Sequence, residues 1–468
     1  MNIDSFRQHA HALVDWIADY RAGLARLPVR SAVQPGEIAA KIPEHPPEQP
    51  EPFDAVQADI DAVVLPGITH WQHPRFFAYF PSNASLPAVL GEFLSAGLGV
   101  QGMSWVTSPA ATELETRVMD WLAEAMQLPG FSGVIQDTAS TSTLVALLSA
   151  RERATDFQAN ELGLAAFPPM VVYASEEAHS SIEKACRAMG IGSRGLRRVP
   201  TDAHRAMSPG ALEQAILADK AAGKLPIAVV ATLGTTSTTA VDPVGAVAEI
   251  TRRHGLWLHV DAAYAGAALI LPELAALAQE VSQADSVVMN PHKWLMTSFD
   301  CSAYLVRDPT TLVRSFEILP EYLRTSERSP VINYRDWGIA LGRRFRSLKL
   351  WFVFRSYGVE GLRARLREHM SLARTIAARI EAHPDFTLLE APQFALVCFR
   401  WTPGGQDRGQ TTDAQNLALL ERLNASGALY LSHTRVDGAV MLRLAIGACD
   451  TSAADLDAAW SEILASAR

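Results

Sequence analysis

The sequence SVVMNPHKW, residues 286–294, places a lysine directly after a short apolar run that contains β-branched residues. Most lysines are solvated surface residues, but Lys293 follows a strand candidate and is flanked by Trp294, so solvent is a poor environment for it. A desolvated lysine has a lowered pKa, which an imine-forming amine requires. The pattern therefore favours a buried, reactive Lys293 at the end of a strand.

Short apolar runs of the same kind recur between residues 85 and 350, where they alternate with helical patterns. This alternation is typical of a parallel sheet with crossover helices, and apolar residues on both strand faces predict helices on both sides. Open sheets of this type bind ligands at the carboxyl ends of their strands. The strand candidates are residues 170–174, 227–232, 257–260, 286–289 and 303–306.

Asp261 ends one of these strand candidates and is followed by small residues. An aspartate in this position is often a helix N-cap, and taken alone that interpretation is as good as a functional one. A buried carboxylate can instead pair with the ring nitrogen of pyridoxal 5′-phosphate (PLP) and keep it protonated. Because Lys293 follows 32 residues downstream, beyond the next strand, we favour the cofactor interpretation.

Thr138-Ala139-Ser140 precedes an apolar helical run at residues 144–148. Free backbone N–H groups at a helix start, together with hydroxyl groups, suit a phosphate. An ordinary Ser/Thr cap is the common alternative. Both interpretations can hold at the same helix start.

The 468-residue chain is 49% hydrophobic and 19% charged, and its formal charge of −9 is spread along the sequence. This composition is typical of a soluble protein of about two or three domains, and no basic run indicates a nucleic-acid or membrane partner. No signal peptide or apolar stretch of the ~20 residues needed to cross a bilayer is predicted. Four scattered cysteines predict neither a disulfide framework nor a metal site. A cytoplasmic enzyme with a small-molecule ligand is the simplest interpretation.

An amphipathic helix with a cap at Asp4 is predicted at the N-terminus, and seven prolines between residues 28 and 52 predict an extended strap after it. A helix on such a strap can pack on a neighbouring subunit. The expected division is a dimer-swapped helical segment with its strap (1–84), a large PLP-binding domain (85–350) and a small α+β domain (351–468).

The small domain is predicted from a long helix at about residues 343–357 and from helical segments interleaved with strands. Its strand candidates are residues 394–400, 428–432 and 440–445.

Several separated strings resemble one known family. They are residues 77–81 (FAYFP), 108–110 (SPA), 113–115 (ELE), 178–181 (AHSS) and 341–349 (LGRRFRSLK), with the motifs around Asp261 and Lys293. From about residue 4 to beyond residue 445, the chain resembles the group II PLP-dependent amino-acid decarboxylases of fold type I, most closely the aromatic L-amino-acid (DOPA or tryptophan) decarboxylases. The resemblance implies an α/β fold with a mostly parallel seven-stranded sheet flanked by helices, PLP as cofactor, and a homodimer with shared active sites.

The resemblance also implies a set of site residues. His179 would stack on the cofactor ring, Ala263 would lie on the opposite ring face, and Tyr322 on a mobile loop would return a proton to Cα. The catalytic residues are then Lys293, His179, Tyr322 and Asp261. The cofactor-binding residues are Thr138, Ala139, Ser140, His179, Thr236, Asp261, Ala263, Asn290, His292 and Lys293.

The substrate pocket that the resemblance implies is aromatic or apolar in most positions. Its residues are Trp71, Tyr79, Phe80, Pro81, Ser82, Gln101, Met103 and Gly342. Gln101 and Met103 would reach across from the other subunit, and they replace an isoleucine and a phenylalanine of animal DOPA decarboxylases. The choice among DOPA, tryptophan, tyrosine and phenylalanine therefore stays open.

Two related activities are alternatives within the same family. A glutamate or sulfinoalanine decarboxylase would need a cation for the distal acid, and the pocket strings contain no arginine. An aldehyde synthase, which couples decarboxylation to oxidative deamination, usually replaces the loop tyrosine or the stacking histidine. Both Tyr322 and His179 are present.

Overall fold

The computed structural model describes residues 1–318 and 331–468. Contacts divide the chain into two compact units, one formed by Met1–Pro81 with His369–Arg468 and the other by Ser82–Glu368. The three-part division expected from the sequence, with limits at residues 84 and 350, stays a prediction. Among the described residues, no helix combines the length and the apolarity that a membrane span requires.

The α-helices are spread over both units, and the longest of the spans, Ser347–Ala382, consists of two helices joined at Gly358, where the backbone is not helical. In chain order they are α1 (Ile3–Gly23), α2 (Phe53–Asp59), α3 (Leu86–Leu98), α4 (Pro109–Ala125), α5 (Ala139–Ala154), α6 (Ala159–Leu162), α7 (Ser180–Ala188), α8 (Pro209–Ala221), α9 (Val244–His254), α10 (Ala275–Val281), α11 (Pro291–Trp294), α12 (Pro309–Phe316), α13 (Ser347–Ala382), α14 (Gln410–Ala425) and α15 (Ala453–Ser466).

The Ser82–Glu368 unit is built on the seven-stranded sheet that the resemblance implies. Its strands are β1 (Ser132–Gln136), β2 (Met170–Ser175), β3 (Leu196–Val199), β4 (Leu225–Thr232), β5 (Trp257–Asp261), β6 (Ser286–Met289) and β7 (Ser302–Val306). The order is β1-β7-β6-β5-β4-β2-β3, and β7 runs antiparallel to both of its neighbours while the other pairs are parallel. The predicted mostly parallel sheet is confirmed.

All five strands predicted in this region are present, and β1 and β3 are additional. Both additional strands lie at the edges of the sheet. Gly133 interrupts the apolar pattern of β1, and Arg197 with Arg198 makes β3 polar. Charged residues are common on edge strands because they discourage pairing with another chain. They also interrupt the apolar runs from which strands are predicted, so such strands are harder to predict from the sequence.

Apolar packing covers the central strands on both faces. Every residue of β2, β5, β6 and β7 is buried. Val145 of α5 and Ile182 of α7 form one core cluster with Val172 and Val230 of the sheet, and none of these side chains is exposed. Full burial of such a side chain stabilises the fold by roughly 1.5–3 kcal/mol, so this core holds the strand ends in fixed positions.

The other unit contains a four-stranded antiparallel sheet with the order β10-β11-β9-β8. Its strands are β8 (Phe386–Leu388), β9 (Leu396–Trp401), β10 (Ser432–Val436) and β11 (Ala439–Ala445). The strand predicted at residues 428–432 is wrong, because the chain enters β10 only at Ser432. Asp437 and Gly438, both with positive φ, form the tight turn that pairs β10 with β11.

The limits of two helices also differ from the prediction. α13 begins at Ser347 rather than near residue 343, because Arg343 lies ahead of the helix in a buried ion pair with Glu115. α1 begins after Asn2, whose side chain accepts a hydrogen bond from the backbone of Ser5, so the predicted cap at Asp4 is wrong.

Candidate active site

The carboxyl ends of the parallel strands meet at one edge of the seven-stranded sheet. Asp261 is the last residue of β5, and Lys293 lies in the one-turn helix α11 directly after β6. Thr138 follows β1, His179 follows β2, and Thr236 follows β4. The topology thus brings these predicted site residues to the edge at which open α/β sheets bind ligands.

A series of hydrogen bonds connects Lys293 to Asp261. The backbone N–H of Lys293 donates to the carbonyl of Asn290 at 2.9 Å. The N–H of Asn290 in turn donates to the carbonyl of Ala263 at 3.0 Å. The N–H of Ala263 donates to Asp261 Oδ1 at 3.1 Å, which fixes the carboxylate relative to α11, the turn that carries Lys293 and is called the lysine turn below.

Burial lowers the pKa of Lys293, and the Asp261 carboxylate opposes this shift. A lysine with a lowered pKa is neutral in a larger fraction of molecules near neutral pH, so its Nζ can attack a carbonyl carbon. The predicted reactive amine therefore has the environment that its chemistry requires.

His179 is the N-cap residue of α7, and its Nδ1 accepts a hydrogen bond from the backbone N–H of Ser181 at 3.2 Å. Partial desolvation lowers the pKa of His179, while the Asp261 carboxylate opposes the shift and the Lys293 ammonium reinforces it. A neutral imidazole that accepts through Nδ1 carries its proton on Nε2. We therefore assign a neutral His179 with an Nε2–H donor near neutral pH.

The first turn of α5 offers backbone amides to an anion. Thr138 is the N-cap residue, and within the described residues its side chain makes no capping hydrogen bond, so the amides of the turn that begins with Ala139 and Ser140 keep their capacity to donate. Asn290 Oδ1 is buried without a hydrogen-bond partner among the described residues. Rotation of this amide would present Nδ2 as a donor. Both features fit the phosphate of PLP.

Three further predicted cofactor residues lie near the same edge. Ala263 is buried, as expected for a small residue against a ring, and Thr236 is exposed in the loop after β4.

His292 is buried, and its Nδ1 accepts from the N–H of Cys301 at 2.9 Å. Burial, reinforced by the Lys293 ammonium, lowers the pKa of His292 to about 3. His292 is therefore neutral, and its contact with the cofactor stays a prediction.

Four predicted pocket residues belong to the Ser82–Glu368 unit: Ser82, Gln101, Met103 and Gly342. The structure brings two of them together, because a Cβ atom on Gly342 would lie 3.2 Å from Gln101 Nε2. The backbone N–H of Arg343 also donates to Gln101 Oε1 at 2.8 Å. Met103 is fixed separately, through its carbonyl, by the N–H of Arg335.

The other four predicted pocket residues belong to the first unit: Trp71, Tyr79, Phe80 and Pro81. The rings of Trp71 and Tyr79 stack with centroids 5.8 Å apart, and the Tyr79 hydroxyl lies 3.2 Å from that of Tyr430. Buried Arg443 lies over the Phe80 ring and donates to Ser432 Oγ at 2.8 Å. Sequence reasoning missed both Tyr430 and Arg443 beside this aromatic segment.

Two more features of the Ser82–Glu368 unit were not predicted. Arg343 donates to Glu115 at 2.6 Å in a buried ion pair, and Asn83 Nδ2 donates to the carbonyl of Lys293 at 2.7 Å. The paired residues are 228 and 210 residues apart in the sequence, so no local pattern could reveal them. Tyr322, predicted as the proton donor, lies outside the described residues.

A lysine and a buried carboxylate at the carboxyl edge of a mostly parallel sheet are what PLP-dependent enzymes of fold type I require. Residues 35–402 match the family described as "Pyridoxal-dependent decarboxylase conserved domain". The chain belongs to this family, and PLP is its cofactor.

Several relatives of the chain have names that refer to aromatic compounds. It is 44% identical over 474 residues to a phenylacetaldehyde synthase of Arabidopsis thaliana, with 99% of this chain and 96% of the relative covered. The crystal structure of Catharanthus roseus tryptophan decarboxylase in complex with L-tryptophan matches with a TM-score of 0.94 and 40% identity, covering 100% of this chain and 98% of that one. The Oryza sativa TDC structure with PLP and tryptamine matches with a TM-score of 0.96 and 38% identity over the same shares of the two chains.

Proposed function

We propose that this protein is an aromatic L-amino-acid decarboxylase, which converts DOPA, tryptophan, tyrosine or phenylalanine to the arylalkylamine and CO₂. The observation that carries the proposal is the placement of Lys293, directly after β6, and of Asp261, at the end of β5, at one carboxyl edge of the sheet, where hydrogen bonds through Asn290 and Ala263 connect them. The aromatic segment around Trp71 and Tyr79, together with the substrates in the relatives' names, supports an aromatic side chain on the substrate. Incubation of PLP-loaded protein with a panel of amino acids tests the proposal.

Asp261 and Lys293 would hold the cofactor and control its protons. The buried Asp261 carboxylate would pair with the ring nitrogen and keep it protonated. Lys293 would bind the cofactor covalently between turnovers and release it to the amine of the substrate. PLP, when bound, accepts the electron pair that the departing carboxylate leaves at Cα.

His179 would orient the substrate. A neutral imidazole stacked on the ring can donate from Nε2 to the carboxylate that leaves. Because it carries no positive charge, it does not stabilise the carboxylate anion against its loss as CO₂. Orientation matters because the bond that breaks is the one held perpendicular to the ring. Tyr322 would then donate its phenolic proton to Cα, which yields the amine.

Aldehyde synthesis is the second candidate, because the relative at 44% identity is a phenylacetaldehyde synthase. In that reaction O₂ takes two electrons from the decarboxylated substrate and becomes hydrogen peroxide, and water hydrolyses the resulting imine to aldehyde and ammonia. The presence of both Tyr322 and His179 supports the amine-forming reaction for this chain.

An acidic substrate is less well supported. Arg443 lies beside the aromatic segment, but its guanidinium is buried over the Phe80 ring and donates to Ser432 Oγ and to the carbonyl of Tyr79. A cation engaged in this way is a structural part of its own unit. Its contacts therefore lend no support to a dicarboxylic substrate.

We further propose a homodimer with shared active sites, located in the cytoplasm. None of the residues of α1, all of which the structure describes, is buried, and the apolar side chains of Ile3, Phe6, Val14 and Ile17 are exposed. A second copy of the chain would cover this apolar face. The four buried cysteine thiols are consistent with a reducing compartment.

Removal of residues 1–50 is expected to yield insoluble or inactive protein, because the apolar surface that α1 covers in the partner would be exposed. Sedimentation should show a dimer for the full chain and loss of the dimer for the point variant Phe6→Glu. His11→Glu adds the same charge at an exposed polar position of α1 and should leave the dimer intact. A soluble, fully active monomer from the truncation would contradict the proposed dimer.

Gly342→Ser is expected to reduce turnover of tryptophan relative to tyrosine by about tenfold, because a misfit of one or two atoms in a pocket typically costs about 1–3 kcal/mol. The added side chain would press on Gln101, which a Cβ atom would already approach to 3.2 Å. Gly210→Ser, at a helix position with open space around the added atom, is the matched control. An unchanged tryptophan-to-tyrosine ratio in Gly342→Ser would exclude this pocket role.

A further inference from the structure

Asn83 lies immediately after the predicted pocket residue Ser82 and is 1% exposed. Its backbone N–H donates to the carbonyl of His292 at 2.8 Å, and its side-chain Nδ2 donates to the carbonyl of Lys293 at 2.7 Å. Two residues further on, the N–H of Ser85 donates to the carbonyl of Met296 at 3.3 Å. A short segment before α3 therefore runs alongside the lysine turn and donates to two of its carbonyl groups and to a third one just beyond it.

The lysine turn depends on such partners. α11 has only four residues, and a single helical turn is not stable by itself because nucleation fixes several residues for one hydrogen bond. The carbonyl groups at the end of any helix also lack intrahelical partners. The direction in which Lys293 leaves the turn is therefore set by tertiary hydrogen bonds.

These hydrogen bonds reach the turn from two sides. On the side that precedes the lysine, the Lys293 N–H donates to Asn290, and the His292 ring accepts from Cys301. On the side that follows, the contact to the Lys293 peptide group itself comes from the side chain of Asn83. A carbonyl fixed at 2.7 Å by a buried amide restricts rotation of the peptide plane next to the Lys293 Cα.

We propose that Asn83 is a positioning residue that sets the orientation of Lys293 toward Asp261. The inference rests on the proposed function, in which Lys293 carries PLP. Asn83 acts through the backbone of the turn, so loss of its donor changes the placement and the environment of the Lys293 Nζ. The cofactor linkage should then form less readily and titrate at a different pH.

Asn83→Ala and Asn83→Asp test the donor directly. The alanine variant lacks the side-chain amide, while aspartate keeps its shape but has an oxygen in place of the N–H donor. Loss of one buried hydrogen bond corresponds to a factor of about ten in an equilibrium constant. We expect a roughly tenfold weaker PLP Kd in both variants, a shifted pH midpoint of the visible absorbance of the cofactor linkage, and a kcat about tenfold lower with a smaller change in KM.

Asn416→Ala is the matched control, since Asn416 is also fully buried and its Nδ2 donates to two backbone carbonyls at 2.8 Å. It lies in α14, in the other unit, and its side chain hydrogen-bonds to Trp401 of β9. This variant should lower the Tm but leave the PLP Kd, the absorbance midpoint and the kcat at wild-type values.

Each outcome bears on one claim. If wild-type protein gives no borohydride-stable PLP adduct on Lys293, the proposed function fails before the role of Asn83 arises. If wild type gives the adduct and Asn83→Ala retains the wild-type Kd, absorbance midpoint and kcat, the positioning role is wrong. If the alanine variant does not fold, Asn83→Asp decides: wild-type values there would show that shape rather than the donor matters, and the inference would be overturned.

Discussion

Lys293→Ala is expected to abolish the covalent PLP linkage and to lower decarboxylation by on the order of 10³-fold or more, because the reactive amine is removed from the site. In wild type, borohydride should reduce the linkage to a stable adduct, which mass spectrometry of the digested protein would locate on Lys293. The variant should lack both the adduct and the visible absorbance of the linkage. Because Lys293 follows β6 at the carboxyl edge of the sheet, we expect no other lysine to take over this role.

Lys220→Ala is the control for this experiment. Lys220 is an exposed lysine of α8 that hydrogen-bonds to His254, so its loss should leave the adduct and the turnover unchanged. If Lys293→Ala retained a borohydride-stable adduct and wild-type turnover, Lys293 would not be the cofactor lysine.

Tyr322→Phe is expected to convert amine production into aldehyde production. After CO₂ leaves, the electron pair at Cα either takes a proton or is lost to O₂, and the faster reaction decides the product. General acid catalysis typically contributes ~10²–10⁴-fold, so loss of the phenolic proton donor slows protonation enough for oxidation to compete. Under air, the variant should form aldehyde with equal amounts of hydrogen peroxide and ammonia. Its PLP absorbance should match that of wild type, since Lys293 and Asp261 are unchanged.

The exposed Tyr357 supplies a matched control, and Tyr357→Phe should form amine at the wild-type rate. Anaerobic assays separate protonation from oxidation. Without O₂, the Tyr322→Phe variant can form only amine, at the rate that slow protonation allows. Amine formation at the wild-type rate in Tyr322→Phe, with no aldehyde or peroxide, would exclude Tyr322 as the proton donor. His179 would then be the next candidate.

The parts of the fold that the sequence predicts well are those with strong local signals. The central strands β4, β5 and β6 consist mostly of apolar residues, and each has a polar residue at or directly after its carboxyl end: Thr232, Asp261 and Asn290. This pattern alone indicates both the parallel sheet and the placement of Asp261 and Lys293. Edge strands give weaker signals in the sequence, because their residues need not be apolar. Arg197 and Arg198 in β3 are charged residues of the kind that a solvated edge tolerates.

Features that depend on distant residues are not visible in the sequence. The buried pair of Glu115 with Arg343 and the contact of Asn83 with Lys293 form only when segments more than 200 residues apart meet in the fold. The predicted position of the strand β10 is wrong for a related reason. Its register is set by the turn at Asp437 and Gly438, while the apolar run before it looks more like a strand than SHTRV itself.

The product balance of the wild-type enzyme tests the central claim most directly. PLP-loaded protein would be incubated under air with tryptophan, tyrosine, DOPA, phenylalanine, glutamate and sulfinoalanine, and amine, CO₂, aldehyde and hydrogen peroxide would be quantified. The proposed function predicts amine and CO₂ in equal amounts from at least one aromatic amino acid, with little aldehyde or peroxide and no turnover of the acidic substrates. Turnover of glutamate or sulfinoalanine alone, or aldehyde with an equal amount of peroxide as the main product, would contradict it.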